Sequence, residues 1–332
     1  MKYDGVSKVV FLGEPCSGVK SFVSSFISTF AQSVFVDKKQ LFISKVGRDA
    51  PMMDSSERIT AQAETAYYAN NIMSLDNVLL HNTQNFDDCF EFQIIIDSEL
   101  CGRISFLNLL GQTDYYRSIV SDYGISMVVI MLDGKKLTDS GSNVDMRQVF
   151  NRLKKLAECQ PHGYLFSVFF AVSKADLFGV ENTQSQDFFE HRCRCCKDMI
   201  EYCLQENIPY RFAAFSAASR ITSKVFDLAG EVVDSPDYEP WNIDTVGLYI
   251  ISNALPMLRS HYIRECAAHL DAIKENRGVY NSDSFRSFVE MQYSRENLAE
   301  LIKCRYQLDR YVNYSRLIAE SIKGKTFAAK PL

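Results

Sequence analysis

A short apolar run at residues 9–12 is followed at once by Gly13-Glu14-Pro15-Cys16-Ser17-Gly18-Val19-Lys20-Ser21. A strand that ends in glycines and gives way to a helix leaves backbone N–H groups pointing into a turn. That arrangement suits an anion such as a phosphate. The pattern differs by one register from G-x-x-x-x-G-K-[ST]. Val19 stands where the lysine would be, and Lys20 where the metal-binding hydroxyl would be. The chain therefore predicts a phosphate-type loop with a shifted or reduced phosphate side.

The rest of the chain supplies the framework that such a loop needs. Residues 8–12, 90–96, 103–109, 127–132, 165–172 and 210–215 read as strands. Residues 21–29, 144–159, 187–204 and 245–258 carry the 3.6-residue periodicity of helices. Apolar strands alternating with amphipathic helices predict an α/β fold, a mostly parallel sheet covered on both faces. The pair at 90–96 and 103–109, joined around Asp97-Ser98-Glu99, predicts one antiparallel edge strand. Residues 31–88 read as an insertion. From Arg259 the texture changes to charged helical segments, so we expect a nucleotide-binding domain over 1–258 and an α-helical C-terminal region over 259–332.

Composition excludes several functions. Lys and Arg total 36 against 41 Asp and Glu, a formal net charge of −5. Nothing in that balance favours nucleic acid or an anionic membrane. No apolar run reaches the ~18 residues of a membrane span, and the first residues do not read as a secretory signal. The ten cysteines have no framework spacing, which fits free thiols in a reducing cytoplasm. His191, Cys193, Cys195 and Cys196 lack the paired spacing of a zinc site. Phe189, Cys193, Cys196, Ile200 and Cys203 instead form the buried stripe of a helix. Trp241, just after Pro240, is expected to pack beneath the helix that follows. Arg48 and Arg58 read as solvated charges, and the five histidines as structural.

Ligands of open α/β sheets bind beyond the carboxyl ends of the strands. After the strand at 103–109 comes Asn108-Leu109-Leu110-Gly111-Gln112. After 165–172 comes Ser173-Lys174-Ala175-Asp176, and after 210–215 comes Ser216-Ala217-Ala218. Together with the glycine loop, this ordered set resembles the Ras-like branch of the P-loop GTPases, whose motifs are D-x-x-G-Q, [NT]-K-x-D and S-A-[KL]. The resemblance covers about residues 6–258. It implies GTP or GDP as ligand, with phosphates held by Gly13, Ser17, Gly18, Lys20, Ser21 and Gly111. Guanine would be read by Ser173, Lys174, Asp176, Ser216 and Ala217. Gln112 would position the attacking water, and Ser21, with Thr83 more weakly, would hold Mg²⁺.

The departures fall on the phosphate and metal side. Val19 replaces the phosphate lysine, and Asn108 brings no charge where the family has an acid, while Mg²⁺ prefers carboxylate and phosphate oxygens. Three readings follow. The first is a slow or catalytically dead guanine-nucleotide switch or scaffold for protein partners. The second is an active GTPase that uses Lys20 and Ser21 through a shifted loop. The third is a nucleotide-free interaction protein. Partners would meet the switch regions or the C-terminal helices, with no nucleic acid involved.

Overall fold

The computed structural model describes residues 6–15, 17–31, 33–45, 89–97, 99–108, 124–138, 145–161, 165–178, 183–217, 240–275, 292, 294–296, 299 and 312–326. Its centre is an eight-stranded sheet. The strands are β1 (Val6–Gly13), β2 (Val34–Val36), β3 (Lys39–Lys45), β4 (Cys89–Ile96), β5 (Glu99–Asn108), β6 (Met127–Asp133), β7 (Ser167–Ser173) and β8 (Tyr210–Ala214). Their order across the sheet is β2-β3-β4-β5-β1-β6-β7-β8. Strands β5, β1, β6, β7 and β8 run parallel. The single antiparallel edge is three strands deep, with β4 against β5, β3 against β4 and β2 against β3.

The sheet is apolar on both faces because successive residues alternate between two cores. Along β6, Met127, Val129 and Met131 enter one core, while Val128, Ile130 and Leu132 enter the other. The first core is covered by helix α1 (Val19–Ala31), whose Val19, Phe22, Val23, Phe26, Ile27 and Phe30 form one buried stripe. The second is covered by α3 (Arg147–Cys159), α4 (Gln186–Arg192) and α5 (Lys197–Gln205), with the short α2 (Gly134–Thr138) at the end of β6. A long helix, α6 (Ile243–Glu275), packs on α1 and lies across β1, β5, β6 and β7.

Three local features differ from the sequence reading. First, the segment at 31–88 contributes the β2–β3 hairpin. Its two-residue turn, Asp37-Lys38, has φ of +45° and +66° at its centre. Both values are positive, the twist that closes a tight hairpin, yet neither residue is glycine, so the turn left no strong signal. Second, residues 187–204 are not one helix. A 3-10 turn, Arg194–Cys196, separates α4 from α5. The predicted stripe is nonetheless buried, since Phe189, Cys193, Cys196, Ile200 and Cys203 all face the second core. A spacing of three matches one turn of 3-10 helix, so the pattern crosses the break undisturbed. Third, α6 runs through Pro256 and past Arg259 without interruption. An internal proline costs a helix ~3 kcal/mol, and burial of Ile250, Ile251 and Ala254 opposes that cost. Ser7 also ties the helix to β1, its hydroxyl donating to the Ala254 carbonyl at 2.9 Å.

The C-terminal region also reaches the core. Residues 312–321 are helical, and their Ile318 and Ile322, just beyond, enter the first core beside α1 and α6. This part of the tail is docked on the sheet. Among the described residues no helix is long and apolar enough to cross a membrane.

Candidate functional site

The carboxyl ends of β1, β6, β7 and β8 meet at one edge of the molecule. Between β1 and α1, the loop turns tightly: the Ser17 amide donates to the Glu14 carbonyl at 3.1 Å, and the Phe22 amide donates to Gly18 at 2.8 Å to open the helix. Gly18 has φ of +95°, which a side chain would strain. A Cβ there would also lie 3.2 Å from that of Ser173. Gly13 is equally constrained, since a Cβ would fall 2.9 Å from the Met131 carbonyl and 2.6 Å from Ser17 Oγ. That Ser17 hydroxyl is buried and has no hydrogen-bond partner. The loop thus presses against the end of β7, with a polar atom inside it left unsatisfied.

Strand β7 ends in Ser173, whose hydroxyl donates to the Leu132 carbonyl at 3.1 Å and joins β7 to β6. Lys174 follows with φ of +55°, a region uncommon for non-glycine residues and frequent at functional sites. Its Nζ pairs with Asp133 Oδ1 at 2.8 Å. Asp133 also accepts from the Lys135 amide at 3.0 Å, so one carboxylate starts α2 and fixes Lys174. Next, the Ala175 amide donates to the Phe215 carbonyl at 3.0 Å, docking the turn at 175–178 on the end of β8. This brings Asp176 to Ser216, whose hydroxyl donates to Asp176 Oδ1 at 2.5 Å. Ser216 is held by a two-way backbone bridge to Trp241. Ser25 of α1 donates to the Ala217 carbonyl at 3.2 Å. Trp241 is buried, but in the second core, whereas the residues of α6 that follow it enter the first.

Gly13, Ser17, Gly18, Ser173, Lys174, Asp176, Ser216 and Ala217 therefore converge, although they lie on three separate segments. Ser21 lies half-buried in the first turn of α1. Val19 is the informative neighbour. It is 1% exposed and packed into the first core, so the position offers no group to the loop. Lys20 is the second residue of α1. Thr83, Gly111 and Gln112 lie outside the described residues, as do Arg48 and Arg58.

Two groups were not singled out from the sequence. Glu14, within the glycine loop, pairs with Lys136 of α2 at 2.6 Å. Asp133, 6% exposed at its side chain, holds Lys174. The only signal for Asp133 was an acid at the end of an apolar strand just before a glycine. That glycine, Gly134, approaches the Ser173 carbonyl so closely that a Cβ would collide with it. No cluster of three or more His, Cys, Asp or Glu side chains among the described residues could hold a metal ion.

This strand order, with the glycine loop after β1 and the two polar loops after β7 and β8, defines a P-loop GTPase-like α/β fold. No protein-family model matches the chain, and no curated protein does. Among solved structures it is similar to the signal recognition particle receptor SRb-GTP/SRX complex from Chaetomium thermophilum. That match has 13% identity, 65% of this chain and 93% of the other covered, and a TM-score of 0.35. It is also similar to the GTPase-like domain of S. cerevisiae Ski7 bound to GDP and inorganic phosphate (14% identity, 73% and 49% covered, TM-score 0.35). A third is the G domain of the T. maritima FeoB iron transporter (13% identity, 68% and 91% covered, TM-score 0.25). These scores are low, and the fold assignment rests on the chain's own strand order and loops.

Proposed function

We propose that the chain is a guanine-nucleotide-binding protein that keeps base recognition and has lost part of its phosphate and metal chemistry. It works as a slow or catalytically silent switch or scaffold for protein partners. One observation carries this reading: Asp176, Ser216 and Lys174 are assembled and braced beside Gly18, while Val19 is turned into the core.

In this reading Asp176 accepts hydrogen bonds from the guanine N1–H and exocyclic amine. Ser216 fixes the rotation of that carboxylate by occupying one oxygen. Adenine would leave buried donors and acceptors mismatched, which is how a polar pocket discriminates. The stem of Lys174 lies along the base, and the Ala217 amide meets the guanine carbonyl. The N-terminus of α1, with Gly13, Ser17 and Gly18, faces the phosphates. Lys20 and Ser21 are the cation and hydroxyl available to them, and the unsatisfied Ser17 hydroxyl is a further donor. Gly111 and Gln112 retain the family's places for a γ-phosphate and a water. For Mg²⁺ the donor set is poor, because Asn108 supplies no charge and Ser21 only a hydroxyl. Partner binding falls to the switch regions at 45–88 and 108–122, or to the C-terminal helices.

The test is calorimetry of the purified, nucleotide-free chain with GDP, GTP and ATP, each with and without Mg²⁺. GDP and GTP should bind and ATP should not. The two guanine nucleotides should differ by less than ~100-fold, or ~2.7 kcal/mol, with little dependence on Mg²⁺. A larger preference for GTP that required Mg²⁺ would point to a working catalytic site. Absence of binding in folded protein would leave a pure interaction module.

A further inference from the structure

Charge at the glycine-loop edge is balanced pair by pair. Lys174 Nζ lies 2.8 Å from Asp133 Oδ1, and Lys136 Nζ lies 2.6 Å from Glu14 Oε2. The Asp133 side chain is 6% exposed, so water and salt screen that pair weakly. Within residues 13–21 the sequence has one acid, Glu14, and one base, Lys20, which makes the loop itself neutral. The position that would carry a second lysine is Val19, buried in the first core. Backbone donors are reduced as well. Pro15 has no N–H, and the Ser17 N–H is committed to the Glu14 carbonyl at 3.1 Å. Two features run against this balance. The Ser17 side chain is 1% exposed, and its hydroxyl has no hydrogen-bond partner. It lies against Gly13, where a Cβ would come within 2.6 Å of it. Beside it, α1 begins at Val19 with leading N–H groups that a helix does not satisfy internally. A buried hydroxyl and a helix start together suit one phosphate group.

We propose, on the guanine reading above, that the ligand is guanosine monophosphate (GMP) and that further phosphates add no affinity. The reason is electrostatic. A phosphate monoester carries a charge of about −1.5 to −2 near neutral pH, and each added phosphoryl group raises it. An anion that leaves water needs donors or cations in return. The first phosphate meets the Ser17 hydroxyl and the start of α1. The outer phosphates meet a neutral loop, two lysines already matched by acids, and Asn108 in place of a metal-holding carboxylate. Glu14 is the residue that sets the limit. Its carboxylate repels added phosphates and neutralises Lys136, and the penalty grows with the charge of the ligand.

The test is calorimetry of the nucleotide-free, full-length chain with guanosine, GMP, GDP, GTP and AMP, each with and without Mg²⁺. GMP should bind about tenfold more tightly than guanosine, the gain of one hydrogen bond to a charged group. GDP and GTP should fall within about threefold of GMP, and AMP should not bind. Glu14→Gln should tighten GTP by about fivefold, with a smaller gain for GMP. GDP or GTP binding more than about tenfold tighter than GMP would overturn the proposal and leave the guanine reading standing. So would GMP binding no better than guanosine, or a Glu14→Gln gain that is equal for GMP and GTP. Failure of all four guanine ligands to bind folded protein, or equal binding of AMP, would overturn the guanine reading and this proposal together. The ligand series is measured on the unaltered chain and holds even if the variant fails to fold.

Discussion

The two sides of the loop site are built on different terms. On the side proposed to read the base, four polar residues each have a structural partner. Asp176 has Ser216, Lys174 has Asp133, Ser173 has the Leu132 carbonyl, and the backbone bridge to Trp241 holds Ser216. On the phosphate side the key position is occupied by a buried valine, the loop carries a glutamate, and a serine hydroxyl lies buried without a partner. Reading a base needs a few side chains fixed at two strand ends. Handling a triphosphate needs positive charge delivered into the loop. The first requirement is met by strands that must form anyway for the fold. The second rests on single side chains that can be replaced at little structural cost, because a Val at the start of α1 packs well. If the proposed function holds, recognition of one ligand's two halves has been retained independently.

The largest expected effect tests the base side directly. Asp176→Ala should remove two charge-assisted hydrogen bonds, each worth roughly 1.5–3 kcal/mol. Guanine-nucleotide affinity should then fall by 100-fold or more, about 3 kcal/mol, with the circular dichroism spectrum unchanged. Affinity within a few-fold of the parent would remove Asp176 from the site. Gly134→Ala is expected to act next, through stability. Its Cβ would collide with the Ser173 carbonyl, a backbone atom that cannot rotate away. Overpacking of this kind costs about 1–3 kcal/mol, visible as a lower midpoint in urea. An unperturbed midpoint would mean that β7 and α2 are not held as tightly as their contact implies.

What was legible in the sequence follows the same division. The loops after β1, β7 and β8 were readable because each is a short polar motif directly after an apolar strand, so strand and site identify one another. The alternation of strands and helices fixed the α/β class for the same reason. The Asp133–Lys174 and Glu14–Lys136 pairs were not readable, since they join residues 41 and 122 positions apart and each acid is ordinary in its local setting. The β2–β3 hairpin was missed because Asp37 and Lys38 adopt positive φ without glycine. The continuous α6 was missed because the change to a charged texture at Arg259 read as a boundary, whereas the helix runs on to Glu275. Buried apolar residues mark where helices lie, but they do not mark where a helix changes its pitch, as at Arg194–Cys196.

The two smallest effects set the base side and the phosphate side against each other. Ser216→Ala should leave Asp176 in place but free to rotate, and lose one hydrogen bond to a charged group. We expect a loss of about 1.5 kcal/mol, roughly tenfold in GDP affinity, measured by calorimetry on protein with an unaltered melting curve. Lys20→Ala should do least, changing nucleotide affinity by less than about threefold, or ~0.7 kcal/mol. The reason is positional: the residue that a phosphate loop would use is Val19, and it is committed to the core. If Lys20 instead neutralised the β- and γ-phosphates, its removal would cost several kcal/mol and would weaken GTP more than GDP. The contrast between Asp176→Ala and Lys20→Ala is then decisive. A large loss for the first with a negligible loss for the second is the signature of a site that reads the base and barely holds the phosphates. Comparable losses would mean that the loop has shifted by one residue and kept its charge, and that the chain is a working hydrolase in a changed register.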